Sequence, residues 1–176
     1  WIPCNRHSAT LVARGGREDS RAAARAYVRE LAGDRLDAAR LDAYLEHGPR
    51  MVDFLERESE VRFYPMDYPD YTSESPHSRM VRSLCTQPYS TRRLGPHLKH
   101  LRNQLPQTLF LGLAIGSSVE MKEFMRAGRS LKSFAFVAKR LAAHGRDLLV
   151  YGRSEQRVRG RALVGRLART VFDLGI

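Results

Sequence analysis

The sequence lacks the features that mark several large classes of protein. Its longest apolar run, 108–116, is far shorter than the roughly 18 residues a membrane-spanning helix needs. It has only two cysteines, Cys4 and Cys85, which form neither a CxxC pair nor a Cys/His zinc pattern. No segment has the composition of a secretion signal. We therefore expect a cytoplasmic protein with reduced thiols and no membrane span.

Catalytic and metal-binding motifs are equally scarce. The chain contains no GxGxxG, no P-loop and no GxSxG motif. Its histidines are scattered, and the closest pair, His97 and His100, has no acid or cysteine at ligand spacing. The sequence therefore predicts no metal site.

Lysine is also rare, and only four of the thirty basic residues are lysines. The chain is nevertheless strongly basic, with a net charge of +11. Such a charge raises the alternative of a basic helical module that binds nucleic acid or acidic partners. The arginines, however, are spread along helical faces opposite apolar stripes, and no aromatic residues interleave with the late cluster at 153–169. This pattern favours solvated helix faces, and a nucleic-acid partner is not expected.

Apolar residues at helical spacing dominate the first third of the chain. Asp19-Ser20 offers an N-cap for a helix that ends at Gly33. A second helix is expected from about Leu36. Pro49 is expected to break it and to start a third, because proline is tolerated at the first helical position. Residues 61–63 alternate like a short strand.

The rest of the chain shows the same helical periodicity after a long irregular stretch. Residues 64–96 contain five prolines and are predicted to be irregular, which is typical of functional loops. Further helices are expected after Ser117 or Ser118, from Ser130 to Gly145, and over about 160–173. Residues 148–151 fit either a short strand or a helix tail.

Three tyrosines lie close together in the irregular stretch, at Tyr64, Tyr68 and Tyr71. Pro65 and Pro69 prevent a regular helix there. Phenols and acids on a stiff segment suit a binding or proton-transfer site, but an anchored surface loop has the same composition. The residues alone leave both interpretations open.

Short motifs along the chain occur in a characteristic order. They are Trp1-Ile2-Pro3-Cys4-Asn5, Gly16-Arg17-Glu18-Asp19-Ser20, Pro69-Asp70-Tyr71, Val81-Arg82-Ser83 and the helix from Gly160 to Gly175. This series resembles the flavoproteins of the fumarate reductase/succinate dehydrogenase family, and is most similar to the 3-ketosteroid dehydrogenase-like branch.

The resemblance implies a fold that is mostly α with short strands. Residues 1–176 would be an internal, helical part of an α/β (Rossmann-like) FAD-binding domain. The dinucleotide-binding N-terminal part and the substrate-capping domain would lie outside this sequence. The fragment alone is then expected to be inactive.

The resemblance also implies FAD as cofactor and a hydride moved between the flavin and a carbon next to a carbonyl. The substrate would be an apolar, carbonyl-bearing molecule. Tyr71 occupies the position of an auxiliary acid/base that supports a catalytic phenol, and Tyr68 that of an aromatic wall for the substrate. Trp1 and Asn5 are candidates for contact with the flavin edge.

The chain departs from the family pattern at several positions. His77-Ser78 and Val81 replace family glycines, which would be costly if the backbone there needs positive φ. Ser90 replaces an aspartate. These departures put the substrate specificity in doubt.

Overall fold

A computed structural model describes residues 2, 19–66, 68–80, 82–102, 105–110, 112–116, 118–152 and 154–176. The chain divides into two compact units, Trp1–Cys85 and Thr86–Ile176. Helices predominate in both units and the strands are two or three residues long, so the prediction of a mostly helical chain with short strands is confirmed.

The first unit is built on two helices, α1 (Arg21–Ala32) and α2 (Ala38–Glu58), joined by a 3-10 turn over Gly33–Arg35. The Ser20 side chain accepts the N–H of Ala23 at 3.0 Å, as an N-cap does. Gly33 ends α1 at a φ of 53°, which suits glycine. Both predicted boundaries are therefore confirmed. The core between the helices contains Ala24, Leu41 and Leu45, with Val28 and Leu36 packed against it.

The expected helix break at Pro49 is wrong. Pro49 lies inside α2, which continues to Glu58. An internal proline removes one helical hydrogen bond and costs about 3 kcal/mol. Leu45 and Val52, on either side of Pro49, are both buried, so the apolar face of one continuous helix offsets that cost. Gly48 also lies against Ile2, where an added side-chain carbon would come within 3.5 Å of Ile2 Cδ1.

Strand β1 (Phe63–Pro65) pairs with β2 (Leu84–Thr86). The strand predicted at 61–63 therefore begins later, at Phe63. Val61 and Phe63 are both buried, as their alternation predicts, but the chain pairs with β2 only from Phe63 onward. The region expected to be irregular contains these short strands and 3-10 turns. A single antiparallel bridge between Pro69 and Met80 lies beyond the sheet.

The second unit contains β3 (Tyr89–Ser90), a 3-10 segment (Thr91–His100) kinked at Gly95, a 3-10 turn (Pro106–Thr108), α3 (Ser118–Arg126), α4 (Leu131–Tyr151), β4 (Gln156–Arg157) and α5 (Arg159–Asp173). β3 and β4 are antiparallel, with Tyr89 opposite Arg157. The predicted cap at Ser130 is confirmed, since its side chain accepts the N–H of Ser133.

Helix α4 differs from its prediction in two respects. It passes Gly145 and ends at Gly152, whose φ of 69° terminates it, so residues 148–151 are a helix tail. Its buried residues are Ser133, His144 and Asp147 rather than the apolar stripe. Phe134 and Leu141 are exposed, so the described part of the chain does not cover that stripe.

The interpretation of the late arginines as a solvated face is wrong for Arg157 and Arg166, which are both buried. Arg166 donates to the carbonyl oxygens of Gln87 and Pro88 and lies 5.2 Å from the Tyr89 ring. Carbonyl acceptors and an aromatic face thus replace water around the guanidinium. Helix α5 contacts Tyr89 closely because Gly165 has no side chain there.

Candidate functional site

Residues 66–80, here called the tyrosine loop, present two phenols at the surface. Tyr71 is 94% exposed and Tyr68 is 50% exposed. Asp70, between them, is buried. The loop is therefore anchored through its acid and presents its phenols outward.

The anchor of Asp70 is Arg82, a guanidinium that is 1% exposed. Its Nη1 donates to Asp70 Oδ2 at 2.6 Å. Its Nε and Nη2 donate to the two carboxylate oxygens of Asp19 at 2.8 and 2.9 Å. The two-point contact with Asp19 is the bidentate geometry in which arginine binds carboxylates most strongly. We call Asp19, Arg82 and Asp70 the arginine cluster.

The cluster holds Arg82 in its charged form. Burial alone lowers the pKa of Arg82, but hydrogen bonds and charge from Asp19, together with the charge and hydrogen bond of Asp70, raise it above the ordinary value. The guanidinium therefore remains a cation wherever the protein is folded.

Asp70 also closes the tyrosine loop through the backbone. Its Oδ2 accepts the N–H of Arg79 at 3.0 Å, and its own N–H donates to the Arg79 carbonyl at 3.1 Å. Arg82 Nη1 donates in addition to the carbonyl of His77 at 3.1 Å. These bonds join Asp70 and Arg79, the two ends of the segment that carries Tyr71.

Helix α1 holds the other side of the loop. The Thr72 N–H donates to the Tyr27 hydroxyl at 3.0 Å, and Ser75 Oγ donates to Glu30 Oε2 at 2.5 Å. Tyr27 and Glu30 are three residues apart and so share one helix face. The Tyr27 ring also lies 5.6 Å from the Arg82 guanidinium, within cation–π range.

The predicted site residues are thus only partly described. Tyr68 and Tyr71 lie on the same loop, whereas Trp1 and Asn5 lie outside the described residues. Their neighbour Ile2 is buried, and its N–H donates to the Arg82 carbonyl at 2.7 Å. The roles assigned to these four residues remain predictions.

Sequence reasoning missed the arginine cluster and Tyr27. Asp19, Asp70 and Arg82 were each part of a recognised motif, but Asp19 and Arg82 are 63 positions apart. A single sequence gives no sign that residues so distant are in contact. The one available signal was that all three residues belong to motifs that carry the family resemblance.

The lost family glycines cause no backbone strain at the described positions. Among the residues that the structure covers, Arg159 alone has positive φ without being glycine. His77, Ser78 and Arg82 therefore occupy ordinary conformations. Val81 lies outside the described residues.

Two surface cavities lie in the first unit, of about 410 and 490 Å³. The larger one is bounded by α1 and by Pro76 and His77 of the tyrosine loop. Neither cavity is lined by Tyr68 or Tyr71. The cavities therefore add no support to the predicted substrate wall.

The helix starts are a further place where a phosphate-bearing cofactor could contact the chain. A pyrophosphate needs free N–H groups at a helix N-terminus. In α1, α2 and α4 the side chains of Ser20, Asp37 and Ser130 already accept such N–H groups. Each of these caps occupies one N–H group of its helix start, which leaves fewer of them for a phosphate group.

The described ranges lack two further features. They contain no group of three or more His, Cys, Asp or Glu side chains arranged to hold a metal ion. No helix in this part of the chain combines the length and apolarity needed to cross a membrane.

A family model described as "FAD binding domain" matches residues 1–176. The 4-oxocyclohex-2-ene-1-carboxylate 5-dehydrogenase of Sinomonas cyclohexanicum is 30% identical over 178 residues, covering 100% of this chain and 29% of that protein. The 3-oxosteroid 1-dehydrogenase of Mycolicibacterium smegmatis is 34% identical over 103 residues, covering 57% of this chain and 17% of that protein.

The crystal structure of 3-ketosteroid delta1-dehydrogenase from Sterolibacterium denitrificans, in complex with 1,4-androstadiene-3,17-dione, has the same fold. Its TM-score is 0.80 and its identity 24%, with 100% of this chain and 31% of that chain covered. The chain therefore spans less than a third of the length of these relatives.

Proposed function

The chain belongs to the FAD binding domain family, and from that premise we propose that it is part of an FAD-dependent oxidoreductase acting next to a carbonyl group. The family membership confirms the predicted resemblance and the predicted cofactor, FAD. We place residues 1–176 as an internal, helical part of the FAD-binding domain. The dinucleotide-binding part and a substrate-capping domain would lie elsewhere in the protein.

The observation that carries the proposal is the combination of an exposed phenol and a fixed backbone at Tyr71. Its side chain is 94% exposed, while Asp70 and Thr72 on either side are hydrogen-bonded. An exposed phenol that only decorates a surface needs no such anchoring. A phenol that must meet a substrate or a second catalytic group does, because reaction rates depend strongly on orientation.

The proposed role of Tyr71 is to exchange a proton or hydrogen bond with the catalytic phenol that acts on the substrate carbonyl. A hydroxyl can both donate and accept, so it can relay a proton without a net change in its own state. Tyr68, half-exposed on the same loop, would present its ring to an apolar substrate. When bound, FAD supplies the group that accepts or donates a hydride.

The names of the relatives suggest the substrate class. One is named for a 4-oxocyclohexene carboxylate and another for 3-oxosteroids. Both names denote an oxo group on a carbon skeleton. We propose an oxo compound with an apolar ring skeleton as substrate of the whole protein.

The test uses the full-length protein and these two compound classes. Purified protein should carry flavin absorbance and should transfer electrons from 4-oxocyclohex-2-ene-1-carboxylate or a 3-oxosteroid to an artificial acceptor dye. Tyr71→Phe should lower kcat at least about tenfold, which is less than the roughly 10²- to 10⁴-fold of a direct proton donor because Tyr71 acts through a second phenol. Tyr151→Phe, a partly exposed tyrosine in the other unit, is the matched control. Colourless protein with excess FAD would contradict the proposal.

A further inference from the structure

We propose that the arginine cluster and Tyr27 form a positioning device that fixes the place of Tyr71. The inference rests on the proposed function of Tyr71 and extends it to residues that no motif assigns to the reaction. Asp19, Arg82, Asp70 and Tyr27 are positioning residues here, because none of them is argued to touch the reacting atoms.

The first step of the argument is that the device acts on both neighbours of Tyr71. Asp70 is held by Arg82 and Arg79, and Thr72 is held by the Tyr27 hydroxyl. With the backbone fixed before and after Tyr71, the remaining freedom of the phenol is rotation about its side-chain bonds. The phenol therefore samples a small region of space.

The second step is that the restraint is far stronger than a surface loop needs. The side chains of Arg82 and Asp70 are each 1% exposed, and that of Asp19 is 5% exposed. Burying charges is costly, and removing one partner would leave an uncompensated charge. The loop can leave this position only by breaking the ion pairs of the arginine cluster, so the anchored position of the loop is strongly preferred.

The third step is that Arg82 joins two parts of the predicted site. Its side chain holds the tyrosine loop, and its carbonyl accepts the N–H of Ile2. Ile2 belongs to the segment in which Trp1 and Asn5 are predicted to meet the flavin. Arg82 thus contacts both the tyrosine loop and Ile2, the described residue of that segment.

The first experiment measures hydrogen exchange of the full-length protein and needs no substrate. Tyr27→Phe removes the acceptor of the Thr72 N–H and keeps the ring over Arg82. Asp70→Asn keeps an acceptor and removes the charge. Exchange at Thr72 should rise about threefold to tenfold in the first variant, as loss of one hydrogen bond predicts. Exchange at Arg79 should rise in the second variant. Unchanged exchange at both amides would overturn the proposal.

The second experiment is a double-mutant cycle on kcat. Asp70→Asn should lower kcat about tenfold when Tyr71 is present and less than about twofold in a Tyr71→Phe background, because groups that act through one another are not additive. The KM should change less than kcat. Equal losses of kcat in both backgrounds would show that Asp70 is merely structural and would overturn the proposal.

Asp147→Asn is the matched control for the cycle. Asp147 pairs with Arg92 and accepts the N–H of Glu155 at 3.3 Å, so it reproduces the chemistry of Asp70 in the other unit. Its effect on kcat should be the same with and without Tyr71. If the cycle shows that Asp147 is coupled to Tyr71 as strongly as Asp70 is, the result would count against the proposal.

The two experiments separate the proposal from the function on which it rests. If the wild-type protein turns over neither 4-oxocyclohex-2-ene-1-carboxylate nor a 3-oxosteroid, the proposed function fails, and the exchange data alone decide whether the device holds Tyr71. If turnover is present but exchange is insensitive to Tyr27→Phe and Asp70→Asn, the positioning device fails and the function stands.

Discussion

Replacing Arg82 with glutamine should release the tyrosine loop from the rest of the first unit. The substitution removes a cation that is 1% exposed and leaves the carboxylates of Asp19 and Asp70 buried without it. Glutamine keeps a polar side chain but cannot reach both acids. Local opening of the loop should therefore become much easier, while distant helices should keep their protection.

The size of the effect follows from the burial of the pair. Removing one partner of a buried ion pair costs about 3–5 kcal/mol, because the other charge is left uncompensated. At about 1.4 kcal/mol per factor of ten, this cost corresponds to a rise of roughly 10²- to 4 × 10³-fold in the opening constant of the loop. So large a change is well above what the loss of a single neutral hydrogen bond would give.

Native-state hydrogen exchange of the full-length protein measures this opening directly. The informative amides are those of Asp70 and Arg79, which are hydrogen-bonded across the loop, and that of Thr72, which donates to Tyr27 of α1. Arg40→Gln is the control, because Arg40 pairs with Asp37 at 3.2 Å but is 89% exposed. An exposed pair is worth less than about 1 kcal/mol, so the control should change exchange by less than about fivefold.

Equal changes in Arg82→Gln and Arg40→Gln would refute the reasoning. That result would mean that solvent reaches Asp19 and Asp70 readily and that burial of the cluster does not restrain the loop. A global loss of protection in Arg82→Gln would be a different failure. It would show that the cluster supports the whole unit rather than the loop.

Four further outcomes are expected. Tyr71→Phe should leave exchange protection of the loop unchanged, since the side chain is 94% exposed, and any effect should appear in turnover. Gly165→Ala should destabilise α5 by about 1–3 kcal/mol by overpacking, because the added carbon would lie 2.9 Å from the Tyr89 ring; amide exchange in α5 reports it. Ser130→Ala should cost the start of α4 about 1 kcal/mol, the usual value of an N-cap, with faster exchange in its first turn. Burial raises the pKa of Tyr44 in the folded protein. As the pH rises, this tyrosine therefore ionises first in the unfolded chain, and the folded state loses stability above the unfolded pKa of about 10. Denaturation followed by circular dichroism above about pH 10 should show a smaller loss of stability in Tyr44→Phe.

The features that could be predicted from the sequence are local ones. Ser20, Ser130 and Gly33 were found as caps because capping depends on residue types within one helical turn. Pro49 was misjudged because its local cost is outweighed by buried side chains that periodicity had assigned to two separate helices. Local rules identify these three caps, but they misplace the helix ends at Pro49 and Gly145, where the helix in fact continues.

In the candidate site too, local features could be predicted from the sequence and contacts between distant residues could not. The tyrosine loop was located by its composition, and Tyr71 gained a role only from the order of the motifs. The buried contacts of Arg82 escaped prediction, because surface arginine is the common case and its partners are distant in sequence. The same holds for Arg166, which was assigned to a solvated face and is buried on Tyr89.

The single guanidinium shared by Asp19 and Asp70 has a consequence for how the sequence can drift over evolutionary time. A change at any one of the three positions passes through an intermediate with an uncompensated buried charge, which selection removes. The three should therefore be retained or replaced together across related sequences. The exposed pair of Arg40 and Asp37 should vary freely. Correlated substitution at positions 19, 70 and 82 is thus the record that this contact should leave among homologues.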